Sequence, residues 1–112
     1  MDDKLTRYRE IARRVVSEYG SHKPSYGEVV CYPVIDPVGD HYLAVQAGWD
    51  RHQRVQGAFV HLDIIGGKFW VQFDGTDRPV VDELEAAGVP KEDIVLGEKS
   101  PDLRPYTGYA VG

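Results

Sequence analysis

Two adjacent glycines set the strongest constraint on this chain. Gly66-Gly67 separates two strand-like runs, Arg54–Ile65 and Lys68–Phe73. A two-residue hairpin loop that matches the twist of its strands needs positive φ at both central positions, and glycine adopts it without a Cβ clash. Such a turn dictates a register. Ile65 should face Lys68, Ile64 Phe69, Asp63 Trp70, Leu62 Val71, His61 Gln72 and Val60 Phe73. Strand side chains alternate, so one face collects Val60, Leu62, Ile64, Phe69, Val71 and Phe73. The other collects His61, Asp63, Trp70 and Gln72. A slip of one residue would scramble this separation. The apolar face must be covered, and amphipathic helices are the available covers.

Two segments can supply those covers. Leu5, Tyr8, Ala12, Val15, Val16 and Tyr19 recur at steps of three and four, which predicts a helix over roughly Asp3–Tyr19. Gly20 is placed to take the positive-φ cap position, and Ser21–Gly27 reads as a loop. A second helix is predicted near 79–87, with Asp77 as its N-cap and Gly88 after its end. Between the helices, Glu28–Ile35, His41–Trp49, Arg54–Ile65 and Lys68–Phe73 read as four strands. Pro33 marks the first as an edge strand, and Gly57 marks a bulge in the third. Pro90–Asp93 reads as one helical turn. Ile94-Val95-Leu96 is too short to type, and the tail from Lys99 reads as extended and docked on the body. The expected fold is α+β: a four-stranded antiparallel meander with helices packed on one face, forming a single domain over residues 1–112.

Charge and cysteine content narrow the function. Thirteen basic against eighteen acidic side chains leave a net charge of −5. That balance argues against non-specific nucleic-acid binding, which phosphate neutralisation drives. The single cysteine, Cys31, cannot close an internal disulfide, so a reducing, cytoplasmic setting is expected. No apolar run approaches a membrane span, and the opening MDDKLTRYRE has no signal-like apolar region.

His61-Leu62-Asp63 is the most enzyme-like feature. Both polar side chains share a strand face, and Asp74 extends that face if the strand continues. A histidine with two carboxylates can hold a divalent metal or move protons. Yet no nucleophile accompanies them, and Trp70 stands across from Asp63. A structural or interface role is the better reading. His22, His41 and His52 lie in or beside loops at spacings that match no metal motif. Tyr32, Tyr42, Trp49, Phe59 and Trp70 are numerous enough to make part of the second sheet face an interface. Arg7, Arg9, Arg13 and Arg14 could contact phosphates if they share one exposed stripe.

Three separated motifs carry a resemblance. They are Trp49…Arg54-Val55-Gln56-Gly57…His61-Leu62-Asp63-Ile64-Ile65-Gly66-Gly67-Lys68-Phe69-Trp70-Val71-Gln72-Phe73-Asp74-Gly75-Thr76, then Ala87–Gly97, then Pro101–Val111. With the opening Asp3-Lys4-Leu5, Tyr8 and Ile11, they resemble the XisI family across nearly the whole chain. The sequence departs from the family pattern at Asp77 and Glu98. The resemblance implies a small cyanobacterial factor controlling excision of the fdxN DNA element during heterocyst differentiation. It implies a XisH-type, nuclease-like protein as partner. It carries no catalytic residue across.

The expected function is therefore a non-enzymatic accessory factor. No catalytic residue, cofactor or metal is expected. The interface candidates are His61, Asp63, Trp70, Gln72, Tyr106 and Tyr109, and a homodimer is a further option. The alternatives are DNA contact through the four arginines, or a metal-dependent hydrolase built on His61, Asp63 and Asp74.

Overall fold

The computed structural model describes residues 3–21 and 27–112. Helix α1 spans Lys4–Gly20, and Asp3 caps it by accepting the Thr6 N–H at 2.7 Å. Tyr8, Ile11, Ala12, Val15, Val16 and Tyr19 form its buried stripe, while Leu5 is exposed at one end. Gly20 does not take the positive-φ cap position. It stays in the helix, where a Cβ would come within 2.8 Å of the Tyr32 and Pro33 backbone. Close approach between helix and sheet is what requires glycine there. Most of the loop expected after it, residues 22–26, lies outside the described residues.

Strands β1 (Glu28–Asp36), β2 (His41–Asp50), β3 (Gln53–Ile65) and β4 (Lys68–Asp74) pair antiparallel in sequence order. Strand β1 is an edge, so Pro33 interrupts no second ladder. Gly66 and Gly67 take φ of 59° and 78°, as the hairpin demands. Helix α2 (Val80–Ala86) follows, then a 3₁₀ turn at Lys91–Asp93 and strand β5, Ile94–Leu96, which pairs parallel with β4. The sheet is thus five-stranded and mixed, which corrects the four-stranded meander. Three residues carry too little periodicity to reveal a strand, and only the return crossing through α2 brings them alongside β4. The tail is not simply extended. It makes a 3₁₀ turn at Arg104–Tyr106, and the Ala110 N–H then donates to Ile94 O at 2.8 Å. No helix among the described residues is long and apolar enough to cross a membrane.

Both helices cover the face carrying Tyr42, Ala44, Val60, Leu62, Ile64, Phe69 and Val71, all buried. Two bulges decide what the other face carries. In β3 the pairing passes from Val45–Ala58 to Ala44–Val60, leaving Phe59 as the extra residue. Gly57, expected at the bulge, remains paired with Gln46. In β4 the pairing passes from Leu62–Val71 to His61–Phe73, leaving Gln72 extra. The expected pairs His61–Gln72 and Val60–Phe73 are therefore replaced by His61–Phe73 and Val60–Asp74. Phe73 moves out of the covered face and is 46% exposed. Asp74 moves onto the helix side.

Candidate functional site

The open face is ordered in rows across the strands. One row runs Asp36, His41, Asp63, Trp70, Val95; the next runs Val34, Leu43, His61, Phe73. Pairing continued without a bulge from Asp50–Gln53 would set His41 opposite Leu62. The extra residue Phe59 shifts it opposite Asp63. A histidine that reads as loop-adjacent thereby joins the polar cluster, correcting its dismissal at sequence level. The clue was a one-residue excess in β3, which the sequence does not locate.

Asp63 is the one buried charged residue among those described, at 6% exposure. Its Oδ1 lies 2.7 Å from His41 Nδ1 and 2.9 Å from His61 Nε2, and its Oδ2 accepts from Gln72 Nε2 at 3.1 Å. Burial pushes the Asp63 carboxyl up, but the hydrogen bonds from His41, His61 and Gln72 outweigh it and hold its pKa below the ordinary value. The bond to Asp63 in turn raises the His41 pKa. Trp70 lies across from Asp63 under the Arg104 guanidinium, 5.0 Å from the ring centroid. A Cβ at Gly97 would come within 2.6 Å of Gln72 Oε1 and 3.2 Å of Trp70, so glycine leaves room for both.

Other sequence candidates fall elsewhere. Asp74 is not part of the cluster. Its Oδ1 accepts from Thr76 N and Oγ1 at 3.0 and 2.6 Å, and its Oδ2 accepts the Val80 N–H at 2.8 Å. It thus caps α2, the role expected of Asp77, which is exposed. Tyr109 turns inward against the core, its hydroxyl donating to Glu85 at 2.8 Å. Tyr106 is 86% exposed. The four arginines do not form one free stripe. Arg9 grips Asp40 through two hydrogen bonds of 2.9 and 3.1 Å. Arg7 lies against the Tyr8 ring, and it lines a shallow groove with Arg13, Arg14 and Glu10.

Sequence reasoning also understated the apolar character of this face. Val30, Tyr32, Val34 and Trp49 are exposed beside half-buried Leu43 and Val45. Alternation in β1 and β2 places all six with His41 and His61. Contiguous exposed apolar surface of this kind marks interaction sites more often than plain solvent surface.

The family profile described as XisI protein matches residues 1–111. The structure is similar to a crystal structure of fdxN element excision controlling factor XisI from Anabaena variabilis ATCC 29413. That pair shares 37% identity at a TM-score of 0.83, covering 98% of this chain and 100% of the other. A XisI-like protein from the same organism is also 37% identical, with a TM-score of 0.88 over 96% of this chain and 99% of the other. Curated proteins give no match.

Proposed function

The chain belongs to the XisI family, and on that premise we propose that it is a non-enzymatic accessory factor in the control of site-specific DNA excision. It acts by binding a protein, for which a XisH-type, nuclease-like protein is the candidate. One observation carries the binding half of this reading. The sheet face away from the helices leaves Val30, Tyr32, Val34, Trp49 and Phe73 exposed next to a buried carboxylate fastened by two histidines. An apolar patch with aromatic anchors and a polar margin has the anatomy of a protein interface. The solved relative's description as an excision controlling factor supports the other half.

Mixing the purified chain with the XisH-type protein of the same genome tests the reading by size-exclusion chromatography. A co-eluting complex is expected. Tyr32→Ser and Trp49→Ser should each weaken it by about tenfold or more, as loss of an aromatic anchor does. Separate elution of the two proteins, or a chain that only pairs with itself through those residues, would count against it.

A further inference from the structure

His41, His61 and Asp63 present three ligand atoms that all lie within 4.8 Å of one another. We propose that they bind a single divalent transition-metal ion, with Zn²⁺ as the reference case. The site is independent of the partner reading, because all three donors belong to this chain.

The geometry needs a rearrangement of side chains only. An ion with bonds of about 2 Å to nitrogen and oxygen in tetrahedral array keeps its ligand atoms roughly 3.3 Å apart. The two imidazole nitrogens now stand 2.7 and 2.9 Å from Asp63 Oδ1. Each of these contacts must open by about half an ångström, and the two nitrogens, no more than 4.8 Å apart, must close toward the same separation by rotation of both rings. The donors sit on two neighbouring strands in direct register, His41 opposite Asp63 with His61 two residues along. Strand-borne ligands are held more firmly than loop-borne ones. The other carboxylate oxygen is already fixed by the Gln72 amide, an outer-shell hydrogen bond of the sort that orients ligating carboxylates. The His41 side chain is 53% exposed and that of His61 35%, so the ion has a path in and free positions for water.

Proton balance is straightforward. In the metal-free cluster an imidazole hydrogen-bonded to Asp63 points an N–H at the carboxylate. Coordination needs the lone pair at that same nitrogen. A neutral ring moves its proton to the other nitrogen, and a cationic ring releases one to solvent. Two imidazoles and one carboxylate suit Zn²⁺, Co²⁺, Ni²⁺ or Cu²⁺ rather than Mg²⁺ or Ca²⁺, which favour all-oxygen shells.

The test is calorimetric titration of the full chain with ZnCl₂, repeated with MgCl₂. Imidazole ¹H–¹⁵N spectra of both states report which nitrogens coordinate. One Zn²⁺ per chain is expected, with shifts confined to the His41 and His61 rings, Nδ1 of the first and Nε2 of the second taking the metal-bound signature and the opposite nitrogens carrying the protons. His41→Ala and His61→Ala should abolish that binding while circular dichroism shows the fold intact. Gln72→Ala should weaken it by about 10–100-fold, as loss of an outer-shell partner does. Absence of Zn²⁺ binding at millimolar concentration overturns the proposal. So does undiminished binding in both histidine variants, or a preference for Mg²⁺.

Discussion

The two faces of the sheet are built from the same strands and used in opposite ways. Under the helices, the carboxylates at the rim fasten one element of this chain to another. Asp93 takes the Tyr8 hydroxyl at 2.6 Å and Lys4 at 3.0 Å, Asp40 takes Arg9 and Tyr42, and Asp74 takes the start of α2. On the open face, Asp63 takes two imidazoles that face solvent. Toward β1 and β2 the apolar side chains Val30, Tyr32, Val34 and Trp49 stay exposed rather than packed. An aspartate at a strand position therefore has no fixed role. Its role follows from which face the pleat and the bulges give it. The covered face spends its polar groups on the fold, and the open face leaves its own available to something else.

The largest effect that could break this contrast is on stability. Leu84 of α2 is fully buried among the side chains of the covered face. Leu84→Ala should destabilise the protein by about 2–5 kcal/mol, through lost transfer energy and a residual cavity. Val30 on the open face is 61% exposed, and Val30→Thr should change stability by no more than about 0.5 kcal/mol. Urea unfolding of both variants checks the pair. Comparable losses would mean that the open face is part of the core.

A smaller effect separates the two aspartates that sequence reading grouped together. Asp74→Ala removes the acceptor for the Val80 N–H and for Thr76, so it should lower stability by about 1–2 kcal/mol, as loss of an N-cap does. By the placement argued above, Zn²⁺ binding should be unchanged in the same variant. A metal affinity that falls with Asp74→Ala would return Asp74 to the cluster and contradict the observed register.

Those registers mark where the sequence stops being legible. The helix stripe, the four antiparallel strands and the Gly66-Gly67 turn follow from periodicity and backbone sterics, which act over a few residues. Pairing next to the turn, from Ile65–Lys68 to Leu62–Val71, follows as well. Beyond it, single extra residues at Phe59 and Gln72 reverse the facing of everything further along. No local preference of Phe or Gln announces a bulge. The bulges satisfy distant needs: Asp74 must reach α2, and the Phe59 carbonyl accepts the Gly75 N–H at 2.8 Å. Hence His61 and Asp63 could be read as a pair, whereas His41 could not be added nor Asp74 removed. Strand β5 escaped for a related reason, since its partner lies across a helix.

The finest distinction between the faces is one of proton affinity. Burial pushes the Tyr8 hydroxyl up to about 12, helped by its hydrogen bond to Asp93. Burial does the same for Tyr42, with Asp40 as the neighbouring carboxylate. Both rings are buried in the core, Tyr8 from α1 and Tyr42 from the covered face of the sheet. A phenol with pKa 10.0 when unfolded holds its proton more tightly in the folded chain. Its contribution to stability is then complete below pH 10 and is lost as pH rises through about 12. Tyr8→Phe cannot titrate, so its stability should decline less steeply than that of the parent across this window. At neutral pH it should be the less stable protein by about 1 kcal/mol, for the lost hydrogen bond. Urea midpoints measured at intervals from pH 7 to the alkaline limit would show the two curves converging. Parallel curves would mean that the Tyr8 hydroxyl exchanges freely with solvent, and that the covered face is wetter than its packing implies.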